Sequence, residues 1–176
     1  MNLDLFPLGW VHLAACLAAL ALGALVLMRP KGTATHKRRG RLFIAAIALA
    51  SLTALGIYRV GRFFFPHWFA LAALIAVIVG FAAAHFRWPR SGWMHLHLTS
   101  MLVSLYILVG GGVNEIFLRV RILHKLVPSA SSPVVGLTHA VVMLAFAGLI
   151  AWFNASVLLR SGPTRRHSSS TSCPAQ

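Results

Sequence analysis

The chain has 176 residues, of which 59% are apolar and only 10% are charged, whereas about 25% of the residues in an ordinary soluble domain are charged. This composition excludes a water-soluble globule and predicts an all-α integral membrane protein whose main partner is the lipid bilayer. The formal charge of +14 lies in short basic clusters between apolar runs rather than along one soluble face, so we predict no nucleic-acid partner.

Five apolar runs are each long enough to cross the hydrocarbon core of a bilayer as a helix. They cover residues 8–28, 42–58, 67–86, 94–113 and 134–158. The segment 114–127 has apolar residues on one helical face and basic residues elsewhere, which predicts a helix lying in the outer interface. We therefore predict one bundle of five transmembrane helices within residues 1–160, followed by a disordered cytoplasmic tail at 161–176.

Basic residues are unevenly divided between the two sides of the predicted bundle. Eleven of the 16 Lys and Arg residues fall on the side that holds the first loop, and five fall on the other side. Because basic residues are retained on the cytoplasmic side, this division predicts a protein of the cell membrane with its N-terminus outside and its C-terminus in the cytoplasm. The second run is the weakest of the five, since it is only 17 residues long and is flanked by arginines.

Small residues recur at every fourth position in four of the predicted helices, a pattern that lets helix backbones approach closely. These positions are Ala15, Ala19 and Gly23; Ala46, Ala50 and Ala54; Ala72, Ala76, Gly80 and Ala84; and Ala147, Ala151 and Ala155. They favour a closely packed bundle over a loose set of spans.

A polar line runs along the fourth predicted helix. Six residues fall within about 40° of this line at 3.6 residues per turn; they are His97, Met101, Ser104, Leu108, Gly111 and Glu115. The two ends of the line are 18 residues apart, or about 27 Å along a helix, close to the roughly 30 Å thickness of the hydrocarbon core. Because polar groups are costly when they face lipid, we predict that the line faces the bundle interior and that Glu115 lies near His12 and His139.

Three short motifs resemble those of a family of uncharacterised bacterial predicted membrane proteins. The motifs are His36-Lys-Arg-Arg-Gly40-Arg41, Trp93-Met94-His95 and Asn114-Glu115. The resemblance covers roughly residues 8–125 and implies a multi-pass membrane architecture. It marks the eight numbered residues of these motifs and implies no reaction.

The histidines fall into two groups at opposite ends of the predicted bundle. The outer group is His12, His67, His124 and His139, and the inner group is His36, His85, His95 and His97. One interpretation is a b-type haem protein that transfers electrons across the membrane, with His12, His139, His36 and His97 as axial ligands. This layout is similar to that of two-haem cytochrome b561-type bundles, by analogy only.

A second interpretation is a proton- or metal-coupled transport or relay protein, which we take as the main functional prediction. His12, His139 and Glu115 form a two-histidine, one-carboxylate set whose ligand types suit a divalent metal. Further inward, His97 and Ser104 are placed to relay a proton, because histidine titrates near neutral pH. The resemblance implies three other polar residues as candidates for the site; they are His95, Asn114 and Arg41.

A third interpretation is a structural or interaction protein without chemistry, in which the polar residues only join helices. All three allow a second copy of the chain, and the haem interpretation adds a membrane redox partner. We assign no catalytic residue and leave open whether the protein is an enzyme. The sequence holds no phosphate-binding glycine loop, Cys-x-x-Cys pair or zinc-protease motif, so hydrolase and nucleotide-driven functions are poorly supported.

The charge division gives a test of the predicted topology. Reporter fusions after Pro30 and at Gly162 should both report a cytoplasmic location, because both positions lie on the side with eleven basic residues. An external signal at Gly162 would contradict an odd number of spans.

Overall fold

The computed structural model describes residues 7–57, 63, 65–120, 123 and 132–160, and these residues fold into α-helices. The helices are α1, Pro7–Leu27; α2, Ala34–Leu55; α3, Phe65–Phe86; α4, Trp93–Arg119; and α5, Pro133–Arg160. The predicted all-α class is therefore confirmed. We call the end of the bundle where α1 begins the outer end and the end where α1 stops the inner end. The predicted tail at 161–176 lies outside the described residues.

Four of the helices in the described part of the chain are long and apolar enough to cross a membrane: α1, α3, α4 and α5. Helix α2 falls short because Lys37, Arg38, Arg39 and Arg41 occupy its first two turns, so too few apolar residues follow. The structure thus supplies four helices of spanning length and composition, one fewer than the five predicted.

The basic motif belongs to helix α2 and not to the loop before it. Helix α2 begins at Ala34, well before the predicted start at residue 42. The hydroxyl of Thr33 accepts a hydrogen bond of 3.1 Å from the backbone N–H of His36, which satisfies a donor that the first turn leaves free. Gly32 precedes this cap with φ of 82°, a conformation that glycine adopts without strain.

Helix α4 continues past its predicted end at residue 113. Asn114 and Glu115 lie in its last two turns, and the backbone N–H of Val120 still donates to Ile116 at 3.0 Å. The predicted interfacial helix therefore does not begin at 114, and most of its later residues lie outside the described residues. Three consecutive glycines do not break α4, because an interrupted helix leaves backbone groups without partners in apolar surroundings.

The helices pack in chain order, and α1 also contacts α4, so α1 to α4 form a closed four-helix ring. Helices α2 and α4 lie diagonally across this ring, since each packs against α1 and α3. The core is formed by Ala19, Phe43, Ile47, Ala73, Val77 and Leu105. Helix α5 packs against α4 on the outside of the ring, and most of its apolar side chains are exposed.

Two glycines allow the closest helix approaches. A Cβ atom on Gly23 would lie 2.8 Å from Leu105 Cδ1, and one on Gly80 would lie 2.9 Å from Met101 Cε and 3.3 Å from the carbonyl oxygen of His97. The predicted small-residue positions are confirmed in α1, where Ala15, Ala19 and Gly23 are all buried. In α3 the buried line instead follows Ala70, Ala73, Val77, Gly80 and Ala83, and in α5 the predicted alanines are exposed.

Replacement of Gly80 by valine should destabilise the bundle, because its side chain must enter a contact closed on one side by backbone. We expect the free energy of unfolding to fall by about 1–3 kcal/mol, as for other overpacked cores, measured by thermal unfolding in detergent. The matched control is Gly148→Val in α5, where no atom lies within 4 Å of the added Cβ. Equal stability of the two variants would contradict this account of the α3–α4 contact.

Candidate functional site

Four of the predicted site histidines each bind a neighbouring helix. His12 binds α2, His97 binds α3, His95 binds α5, and His139 of α5 binds α4. An unpaired polar group in an apolar interior costs free energy, so each ring takes a partner across the nearest helix contact. Each of these four histidines therefore forms its own helix-to-helix hydrogen bond, and only His97 belongs to the predicted polar line.

His12 joins α1 to α2 at the outer end. Its Nδ1 donates to the carbonyl oxygen of Ala50 at 2.9 Å and lies 3.1 Å from the hydroxyl oxygen of Thr53. The Thr53 hydroxyl itself donates to the carbonyl of Leu49 at 2.7 Å, so its oxygen is the acceptor toward the ring. In the neutral ring, Nε2 is then the acceptor that faces the thiol of Cys16 at 3.5 Å.

His139 joins α5 to α4. Its Nε2 lies 3.0 Å from the amide oxygen of Asn114, a hydrogen bond in which the ring donates. The ring also lies against Gly110, where an added Cβ would be 3.6 Å from Cε1. The sequence analysis named Asn114 as a site residue but assigned it no partner. In the structure its partner is His139, the outer histidine that belongs to α5.

Glu115 is exposed, whereas the sequence analysis predicted that it faces the bundle interior. Its negative charge acts electrostatically on the Cys16 thiol of α1, whereas the side chain of the adjacent Asn114 forms a hydrogen bond with His139 of α5. The two residues diverge because neighbouring positions on a helix are about 100° apart. Throughout the described part of the chain, no three His, Cys, Asp or Glu side chains lie close enough to hold a metal ion. The metal set of His12, His139 and Glu115 is therefore not assembled.

On the inner side, His97 and Ser104 have different partners. His97 Nδ1 donates to the carbonyl oxygen of Gly80 at 2.8 Å and so ties α4 to α3. Ser104 is fully buried, and its hydroxyl donates to the carbonyl of Met101 in the same helix at 2.9 Å. The polar line thus reaches the middle of the bundle from the inner end, and Leu108 and Gly111 carry no polar side chain beyond it.

Asn154 forms a polar contact that the sequence analysis missed. Its amide oxygen accepts from His95 Nδ1, and its amide nitrogen donates to the hydroxyl of Thr99 at 3.2 Å and to the carbonyl of Ile150 at 2.9 Å. His95 also lines an open cleft of about 440 Å³ beside Trp93. The sequence did contain a signal for this contact. Asn154 is a single side-chain amide within the apolar run of α5, and such a group needs a partner on another helix.

The charges of Lys31 and His97 act on His36 at the inner end, and Arg39 lies three positions after His36 on α2. We call these four residues the inner basic cluster. His36 Nδ1 and Arg39 Nη1 are buried and, within the described residues, have no hydrogen-bond partner. Lys31 Nζ donates to the carbonyl oxygens that end α1 and lies 5.1 Å from the ring centroid of Phe153. Arg41, the other predicted basic residue of this motif, is exposed and stands apart from the cluster.

The electrostatic environment of the inner basic cluster disfavours further positive charge. Burial lowers the pKa of His36, and the charges of Lys31 and His97 lower it further. Burial also lowers the pKa of Lys31. His36 lies on α2 and His97 on α4, the two helices that face each other across the diagonal of the four-helix ring. The sequence analysis named both histidines but missed Lys31 and Arg39.

Comparison with protein-family models, curated proteins and solved structures gave no match. The resemblance to a family of bacterial membrane proteins therefore stays a prediction.

The lowered pKa of His36 predicts a pH-dependent stability. Above its ordinary pKa of 6.5 the ring is neutral in both the folded and the unfolded chain and contributes no pH dependence. As the pH falls below that value, the unfolded chain binds the proton first, so the free energy of unfolding falls until the lower folded pKa is reached. This decline should appear when thermal unfolding of the wild type is measured in detergent from about pH 7.5 down to about pH 5, the range in which histidine titrates.

His36→Gln should make the decline shallower, because the substituted side chain does not titrate. The control is His85→Gln at the same end, where the exposed ring stacks on Phe81 with a centroid distance of 5.5 Å. An identical decline in wild type and His36→Gln would mean that other groups cause the pH dependence.

Proposed function

We propose that the protein is a multi-pass membrane protein that relays protons, and that His36 and His97 form its proton-exchanging pair at the inner end. The membrane assignment is supported by the four long apolar helices in the described part of the chain. The relay is carried by one observation: a ring nitrogen of His36 is buried and, among the described residues, has no hydrogen-bond partner. The charge of His97 also contributes to lowering the pKa of this ring.

Histidine suits this role because its ordinary pKa lies within the physiological pH range. The pKa of His36 is lowered, so its ring is neutral near pH 7 and has a nitrogen ready to accept a proton. His97 donates through Nδ1 to Gly80, so in the neutral ring its Nε2 is the acceptor. The pair therefore offers two acceptors close to the inner surface.

The buried hydroxyl of Ser104 lies two turns further along α4 and provides the next polar group toward the outer end. From there to Glu115 is 11 residues, or about 16 Å of helix. Leu108 and Gly111 lie between them, so the relay requires water in this half of the bundle. On the outer side, Glu115 and His12 are the groups available to release or receive the proton.

The hydrogen bonds at the outer end do not call for a haem. His12 and His139 each join two helices, and these links account for both rings without a cofactor. We therefore retain the proton function and propose neither a haem nor a metal centre.

Proton flux into proteoliposomes tests the proposal. A potassium gradient with valinomycin supplies the driving force, and a trapped pH-sensitive dye reports the internal pH. We expect wild-type vesicles to acidify faster than protein-free vesicles, and His36→Gln and His97→Gln to lose the difference. Removal of a proton-transfer group typically slows such a step by roughly two to four orders of magnitude. Glutamine at 97 retains an N–H donor toward Gly80, so the α3–α4 contact is preserved.

His85→Gln is the matched control, because this histidine lies at the same end but is exposed. It should leave the flux unchanged. Wild-type flux no greater than that of protein-free vesicles, or equal losses in all three variants, would refute the relay.

A further inference from the structure

We propose that His36 and Arg39 form a binding site for a phosphate group at the inner end of the bundle. The site shares His36 with the proposed relay, but it rests on separate observations and does not require proton transport. Two sources of phosphate fit this position, a phospholipid headgroup and a soluble phosphate, and the experiment below separates them.

The first argument is a pair of buried nitrogen atoms. His36 and Arg39 are three positions apart on α2, so their side chains lie on one face of the helix. His36 Nδ1 and Arg39 Nη1 are both buried and, in the part of the chain that the structure describes, neither has a hydrogen-bond partner. An arginine keeps its charge at any physiological pH, so a buried guanidinium N–H without a partner is costly. An acceptor from outside the chain would remove that cost.

The second argument is the shortage of negative charge. The chain has 16 Lys and Arg residues and only two acidic residues, Asp4 and Glu115. Glu115 is near the outer end of α4, about 27 Å along the helix from His97. Asp4 lies outside the described residues. Among the residues that the structure describes, Glu115 is therefore the only acidic side chain, and it is not placed to neutralise Arg39.

The third argument is the local field. The pKa of His36 is lowered in part by the positive charge of Lys31 and by His97, so the space around this ring favours an anion. His36 is also in the first turn of α2, where the helix dipole presents its positive end. These contributions come from the loop after α1, from α2 and from α4, so the preference belongs to the folded bundle and not to one helix terminus.

The fourth argument concerns the kind of anion. A guanidinium presents planar N–H groups that match the oxygens of a phosphate, and a histidine N–H can add a third hydrogen bond. The site lies in the first two turns of α2, at the level where α1 ends and α4 begins. In a membrane this is the depth of the phospholipid headgroups, whose anionic members attract basic segments.

The experiment measures thermal stability with and without phosphate. In one arm, the full chain in uncharged detergent is titrated with inorganic phosphate against sodium chloride of equal ionic strength. In the other, the chain is placed in nanodiscs of phosphatidylcholine with or without phosphatidylglycerol. A ligand that binds only the folded state raises the unfolding temperature as its concentration exceeds the dissociation constant. We expect a rise in at least one arm, and the arm that responds identifies the source of the phosphate.

The variants assign the effect to the site. Arg39→Gln should abolish the rise, and Arg39→Lys should reduce it because a lysine cannot make the paired hydrogen bonds. Arg38→Gln is the matched control: this neighbouring arginine is exposed, so the rise should persist. Because Arg39 has no part in the relay, normal proton flux in Arg39→Gln with no phosphate effect would separate the two proposals.

A measurement on the wild type alone avoids any effect of the substitutions on folding. A bound phosphate should raise the pKa of His36, measured by nuclear magnetic resonance of its ring nitrogens, because a nearby anion favours the charged imidazole. No rise in unfolding temperature in either arm, an unchanged pKa, or an equal loss in Arg38→Gln would overturn the site.

Discussion

The contact between α3 and α4 depends on one hydrogen bond, from His97 to the carbonyl oxygen of Gly80. A helical carbonyl has a second lone pair, so it can accept from a side chain while it keeps its bond within the helix. The missing side chain of Gly80 brings the two backbones close enough for this bond, with Met101 and Ser100 packed against the same glycine. This contact fixes the rotation of α4 about its own axis. Ser104 and Leu105 then lie in the core, and His95 and Asn114 lie on the side that faces α5.

The same requirement, a partner for every buried polar group, explains why the outer histidines do not form one site. His12 is satisfied by α2 and His139 by α4, and each bond fixes a different pair of helices. Such bonds contribute roughly 0.6 kcal/mol each in membrane proteins, and up to about 1.7. Their contribution is to fix the rotation of each helix, and they leave few polar groups at the outer end free to bind a ligand together.

The inner end combines buried nitrogen atoms with an excess of positive charge. His36 and Arg39 each have a buried nitrogen that, among the described residues, has no hydrogen-bond partner, and the chain carries 16 basic side chains against two acidic ones. An excess of this kind can be balanced only by water or by anions from outside the chain. The proposed proton exchange and the proposed phosphate site are two consequences of that imbalance: one uses the neutral ring of His36, and the other uses the guanidinium of Arg39.

The sequence by itself determined the all-α class, the weak second apolar run and the histidines at the two ends, because hydropathy and helical spacing depend only on neighbouring residues. It also marked Asn114 and His95, although not their partners. Only the tertiary structure decided that α2 begins at Ala34, that Glu115 is exposed and that Asn154 bonds His95. It also showed that Arg39 has a buried nitrogen without a partner among the described residues. The physical reason is that periodicity gives the angle between residues on one helix, whereas the rotation of that helix against its neighbours is set by side-chain packing and hydrogen bonds between segments far apart in the chain.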